Sequence, residues 1–152
     1  MDMLDRKIVA ELQRDGRLKI TELAERIGLS PTPCARRLER LEAEGVITGY
    51  GARVDAARLG LPVTIFVSVE LERQDSEAIR AFERAISACE EVMECHLLTG
   101  SRDILMRVVA ADLAAFDAFL EHRLMRIPGI SRLRSHFALR TMIRRDALPL
   151  AG

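Results

Sequence analysis

The apolar residues of this 152-residue chain change their period at Pro62. Before it, Leu4, Ile8 and Leu12, then Leu23, Ala24 and Ile27, then Cys34, Leu38 and Leu41 recur at helical spacing. After it, Val63, Ile65, Val67, Val69 and Leu71 alternate with Thr64, Phe66, Ser68 and Glu70. A helix brings every third or fourth residue to one side and a strand every second, so the two patterns need different architectures. Nearly half of the chain is apolar (49%), enough to bury a real core.

In the first part, Asp15-Gly16 stops a helix that begins at Met3. Thr21 is expected to cap a short second helix, TELAERIG, which Gly28 ends in a tight turn. Ser30 is the expected cap of a third helix in SPTPCARRLERLE. Pro31 and Pro33 fall in its first turn, where the missing N–H groups cost little. That helix runs to about Glu44, where Gly45 closes it, and Val46-Ile47-Thr48 with Arg53-Val54 predict two short strands around Gly49-Tyr50-Gly51. Helix, short helix, tight turn, helix and hairpin describe a winged helix-turn-helix over residues 1–54.

Residues 55–62 are the expected linker, and residues 63–152 a second domain. There Val63–Leu71 predicts a strand, and Ser76 caps a helix burying Ile79, Phe82, Ile86 and Cys89. Val92–Leu98 and Ile104–Val109 predict strands, and Asp112 caps a helix that buries Leu113, Phe116, Leu120 and Leu124 and ends at Pro128-Gly129. A last strand, about Ser131–Arg144, carries Leu133, Phe137, Leu139 and Ile143 on one side. The order β-α-β-β-α-β is ferredoxin-like, an α+β arrangement with two helices on one face of an antiparallel sheet. Phe66, Leu98, Leu105 and Val109 fall on the other face, which self-association would cover, so a homodimer is expected.

Lys plus Arg equals Asp plus Glu, giving zero net charge. This does not exclude a nucleic-acid binder, because phosphate binding needs only a local basic surface. At about 100° per residue, Arg36, Arg37 and Arg40 share one exposed flank of the third helix, with Glu39 and Glu42 on the other. One explanation is a helix solubilised by pairs such as Arg36 with Glu39 or Arg40 with Glu44. The other is a recognition helix, since the second helix of a helix-turn-helix enters the major groove and the planar arginine fork suits guanine edges and phosphates. The three-helix frame favours the second, with Thr32 and Pro33 close to the backbone or a thymine methyl.

The three cysteines, Cys34, Cys89 and Cys95, form no CxxC pair and leave an odd count, so they are expected to be reduced and mostly buried. His96, His122 and His136 are dispersed, and neither a metal set nor a catalytic arrangement stands out. Tyr50 could pack or touch DNA. The basic residues Arg132, Arg134, Arg140, Arg144 and Arg145 are explained by edge protection or a subunit contact at least as well as by nucleic acid. The longest apolar runs are broken well short of a membrane span and the first residues lack a signal-peptide pattern, so a cytoplasmic protein without membrane association is expected.

LDRKIVAELQRDGRLKITELAERIGLSPTPCARRLERLEAEGVITGY resembles the DNA-binding half of the Lrp/AsnC transcription regulators. ECHLLTGSRDILMRVV and SHFALRTMIRRDALPL resemble that family's ligand-responsive domain, so the likeness covers essentially the whole chain. The resemblance implies a sequence-specific regulator of double-stranded DNA, dimers assembled into octamers or similar rings, and an amino acid or related effector, with no cofactor. It also implies an effector site between dimers at the loop joining the second and third strands, here Thr99, Gly100, Ser101, Arg102 and Asp103. Gly100 would let N–H groups approach a carboxylate, Asp103 would take an ammonium and Ser101 would donate or accept. From the residues alone, the same loop also reads as a hairpin turn. The chain departs from the family pattern at Ser101, where many members carry Asp, and at Ile104, where an aromatic is common. Haem-biosynthetic decarboxylases resemble the same two-domain architecture, and a structural DNA-compacting protein is a third possibility. An enzyme would have no need of arginines sorted onto one flank.

Overall fold

Asp2 opens the first helix through a reciprocal cap. Its Oδ1 accepts from the Asp5 N–H and Asp5 Oδ2 accepts from the Asp2 N–H, both at 2.9 Å, so two donors that a helix start leaves unpaired are satisfied. The protein is described by a computed structural model covering residues 1–99 and 104–150. Helix α1 (Met3–Arg14) is followed by α2 (Ile20–Ile27) and α3 (Pro31–Ala43). Their core is Ile8, Leu23, Ala24, Ile27, Cys34 and Leu41.

The second helix starts earlier than expected: Lys19, not Thr21, stands at its cap, and Glu22 reaches back to accept the Lys19 N–H at 3.2 Å. The hairpin strands expected after α3 do not form. Val46 and Ile47 both donate to the Leu41 carbonyl (2.9 and 3.1 Å), so the N–H groups that a ladder would use close the helix end instead. Tyr50 ties this segment down by donating its hydroxyl to Glu42 at 2.7 Å. Burial, then Glu42, push the phenol up to about 12, so it remains a donor.

The sheet part contains β1 (Val63–Leu71), α4 (Ser76–Ser87), β2 (Val92–Leu97), β3 (Ile104–Ala110), α5 (Leu113–His122) and β4 (Ile130–Phe137). The strands pair antiparallel in the order β2-β3-β1-β4. Ile65, Val67, Val69, Met106 and Val108 form the covered face, against Phe82 and Ile86 of α4 and Phe116 and Phe119 of α5.

Four local expectations in this part are corrected. Asp75, not Ser76, caps α4, its carboxylate accepting from the N–H groups of Glu77 (3.1 Å) and Ala78 (2.9 Å); a charged acceptor suits the positive helix end better than a hydroxyl. Leu113 is 65% exposed and Phe119 takes the buried place; α5 stops at His122, before a 3-10 turn, Leu124–Arg126, that buries Leu124. The last strand ends at Phe137, because Ala138 donates to Thr64 (2.9 Å) and β1 begins at Val63, leaving no partner for Leu139 or Ile143, both exposed. The cysteines are mostly buried, as expected: Cys34 and Cys89 are buried and Cys95 is exposed on the edge strand β2.

By packing, the chain divides into two units: Met1–Arg53 with Met142–Gly152, and Val54–Thr141. The terminal segment packs with the helices. Gln13 clasps it by donating to the Leu148 carbonyl (3.2 Å) and accepting the Leu148 N–H (2.6 Å), and Arg53 meets Asp146 at 3.4 Å.

Candidate nucleic-acid interface

The turn between α2 and α3 depends on Gly28, whose φ of 76° is a left-handed conformation that residues with a Cβ avoid. It lets the Leu29 N–H return to the Ala24 carbonyl at 2.9 Å, closing α2 two residues before α3 begins. Ser30 occupies the cap position of α3 as expected, but its hydroxyl accepts no cap hydrogen bond. A cap serine normally takes the N–H two or three places into the helix, and Pro33 at the third place has none. Pro31 lacks one as well, so Thr32, which is exposed, carries the only backbone N–H of those first three residues.

Cys34 and Leu41 anchor the helix with no accessible surface, and burial pushes the Cys34 thiol up. The three arginines diverge. Arg36 is exposed and makes no hydrogen bond or ion pair among the described residues. Arg37 Nη1 donates to Asp2 Oδ2 at 2.6 Å and to Asp5 Oδ1 at 2.8 Å. Arg40 Nη2 donates to Asp5 Oδ2 at 2.7 Å, and its Nε lies 3.8 Å from Glu44. The uniform solvent flank of the sequence reading is therefore divided: one free arginine and two held against the start of α1. Of the two Arg–Glu pairs weighed from sequence, the Arg40–Glu44 pair is present.

Sequence reasoning missed Asp2 and Asp5. The signal is in MDMLD: two acids three apart before an apolar run mark a cap, and Asp5 lies on the Ile8–Leu12 side of α1. Its side chain is 1% exposed. Burial raises the Asp5 pKa, but the Asp2 N–H, the Arg37 hydrogen bond and the Arg40 charge together bring it below the usual carboxylate range. The Asp5 N–H, then Arg37, hold Asp2 at about 2.

A pH dependence follows. Carboxyls whose folded-state pKa is depressed contribute stability above their unfolded value and lose it as pH falls through the folded one. Thermal stability of the full chain is expected to fall as pH drops from about 4 toward about 2. Asp2→Asn should flatten that decline; an unchanged profile would refute the assignment.

In the sheet unit, Thr99 is an exposed bend following β2. Gly100, Ser101, Arg102 and Asp103, the other residues expected at the effector site, lie outside the described residues. Beside β2, a cavity of about 470 Å³ is lined mainly by apolar groups of α4 and the sheet, among them Phe82, Ile86, Leu97 and Ile104. No group of three or more His, Cys, Asp or Glu among the described residues is arranged to hold a metal ion.

Residues 64–148 match the Lrp/AsnC ligand-binding domain and residues 1–48 a winged helix-turn-helix DNA-binding domain. The chain belongs to the Lrp/AsnC family. It is 45% identical over 150 residues to the Bkd operon transcriptional regulator of Pseudomonas aeruginosa, covering 99% of this chain and 98% of that one. It is 38% identical to the leucine-responsive regulatory protein of Escherichia coli K12, over 91% of this chain and 85% of the relative. Among solved structures, a Neisseria meningitidis transcriptional regulator in complex with L-Met superposes with a TM-score of 0.92 at 34% identity, over 98% of this chain and 96% of that one. Membership makes the chain a DNA-binding transcription regulator with a ligand-binding domain, and sets aside the decarboxylase alternative. The winged helix-turn-helix and ferredoxin-like halves stand as expected, although the wing carries no strand. No helix among the described residues is long and apolar enough to cross a membrane.

Proposed function

We propose that α3 is the recognition helix, that Thr32, Pro33, Arg36, Arg37 and Arg40 form its DNA face, and that Thr99, Gly100, Ser101, Arg102 and Asp103 take an amino-acid effector. The observation that carries the reading is Arg36, exposed in the first half of the second helix of the helix-turn-helix with no partner among the described residues. That is where a side chain reading the major groove stands. Arg40 supports it, being half exposed despite its bond to Asp5 (49%). The protein works in the cytoplasm as a dimer built into a higher assembly such as an octamer, presenting pairs of α3 to spaced half-sites. Sequence preference separates this reading from DNA compaction: duplexes selected from a randomised pool should share a motif with two half-sites.

An amino acid is the effector class supported by the leucine-responsive name of one relative and the L-Met in one solved neighbour. It acts on DNA binding only by favouring one assembly over another. Thermal-shift measurements across amino acids and their catabolites should identify a stabilising ligand. Asp103→Ala should abolish that ligand's shift, because its ammonium loses the carboxylate that pairs with it. A shift that survives would place the effector elsewhere.

A further inference from the structure

Asp5 has no accessible route to DNA, yet both of its oxygens are turned to α3. Oδ1 accepts from Arg37 and Oδ2 from Arg40, while the Asp2 N–H fixes Oδ2 from the other side. Arg37 is held by one corner, and Arg40 by one hydrogen bond beside the looser approach of its Nε to Glu44. Arg37 uses Nη1 alone for its two acids, and Arg40 uses Nη2 for Asp5, so Arg37 Nε and Nη2 and Arg40 Nη1 make no bond among the described residues. The guanidinium is a rigid planar fork, so fixing one corner sets the direction of the others.

We infer that Asp5 is a positioning residue for DNA readout, holding Arg37 and Arg40 in one register and offsetting charge that would otherwise seek phosphates of any sequence. The inference rests on the proposed role of α3. A buried ion pair is a weak device for stability, since an apolar side chain of similar size often serves as well. What the carboxylate supplies is direction: a long, mobile side chain ordered before DNA arrives loses less freedom on binding. Partial neutralisation also matters for discrimination, because phosphate attraction strengthens binding to all sequences and base contacts strengthen it to one.

The test compares full-length wild type and Asp5→Asn by fluorescence anisotropy over a range of salt concentrations. One probe is a random-sequence duplex; the other is the tightest duplex selected by the wild type from a randomised pool. In the variant, affinity for the random duplex is expected to rise roughly threefold to tenfold at low salt, with the salt slope steepening by up to about two as two arginines are released to phosphates. The ratio of selected to random affinity is expected to fall about tenfold. A merely structural role would lower both affinities together and leave the slope unchanged, and that result overturns the inference.

Should Asp5→Asn fail to fold, Asp2→Asn decides. Asp2 is half exposed and, of the two arginines, pairs with Arg37 alone among the described residues, so about half the change in slope is expected, and an unaltered slope and ratio overturn the inference. Arg36→Ala, which leaves both acids in place, separates the two readings. If it weakens binding while the aspartate variants leave slope and ratio unchanged, only the role of Asp5 fails. If Arg36→Ala and the aspartate variants all leave DNA binding intact, α3 is not the DNA face and both readings fail.

Discussion

Replacing Arg36 and Arg40 together with alanine is expected to weaken binding to the selected duplex by about a hundredfold or more, with the oligomer unchanged. Each arginine that makes a base or phosphate contact contributes roughly 1–3 kcal/mol, and an assembly that presents α3 in pairs loses the contacts twice. The fold should tolerate the change. Arg36 has no partner to abandon among the described residues, and Asp5 keeps the Arg37 bond at 2.8 Å and the Asp2 N–H at 2.9 Å after Arg40 is removed. Side-chain packing of α3 rests on Cys34 and Leu41, which point into the helical core. Anisotropy titration at matched salt, beside light scattering for the assembly, provides the check. Retained affinity in an intact oligomer would remove α3 from the interface. A fall in affinity accompanied by dissociation would show that the arginines serve assembly instead.

The change of period at Pro62 carries most of the architecture because it reports a physical constraint, the side on which each residue meets a core. Ile65, Val67 and Val69 are buried on the face their alternation indicates, and Ile8 and Leu23 on the stripes of their helices. Ends of elements were less legible. Thr21 and Ser76 are good caps in isolation, but Lys19 and Asp75 hold those places, because a cap is chosen by where the first turn docks as well as by its own chemistry. The wing strands failed for a similar reason: one carbonyl at the end of α3 accepts both Val46 and Ile47.

At the DNA face, helical spacing showed correctly that the arginines share a flank. It could not show that a second helix supplies acids to that flank, since Asp2 and Asp5 lie 35 and 32 residues before Arg37. Pairing over such separations depends on how α1 packs against α3, which periodicity within one helix does not encode. The effector loop is the opposite case. Its composition supports both a hairpin turn and a ligand site, and only the family resemblance favours the second.

Phe66→Arg is expected to convert the dimer to monomer at micromolar concentration while leaving the sheet folded. On the face without helices, Phe66 is 39% exposed and stands between Arg107 on β3 and His136 on β4. The half-buried Leu105 extends the apolar strip; of the others expected to share it, Leu98 lies just beyond the end of β2 and Val109 is already buried. The polar groups around the strip are largely matched within the sheet. Arg107 donates to Glu94 at 3.0 and 2.7 Å, and these bonds hold the Glu94 carboxyl below its usual range. Glu70 faces both Arg132 (3.8 Å) and Arg134 (4.0 Å). Internal pairing lowers the cost of removing such a face from water, leaving the aromatic ring as the group that gains most from being covered. In a two-fold dimer the substitution acts twice, and a central aromatic anchor commonly contributes 2 kcal/mol or more. The two losses together amount to about 4 kcal/mol, roughly a thousandfold in dissociation constant. Unpaired arginines beside Arg107 and His136 add repulsion. Sedimentation equilibrium should show the shift, and circular dichroism should show unchanged strand content because the helix-covered core is untouched. A dimer of undiminished affinity would exclude this sheet face as the subunit interface.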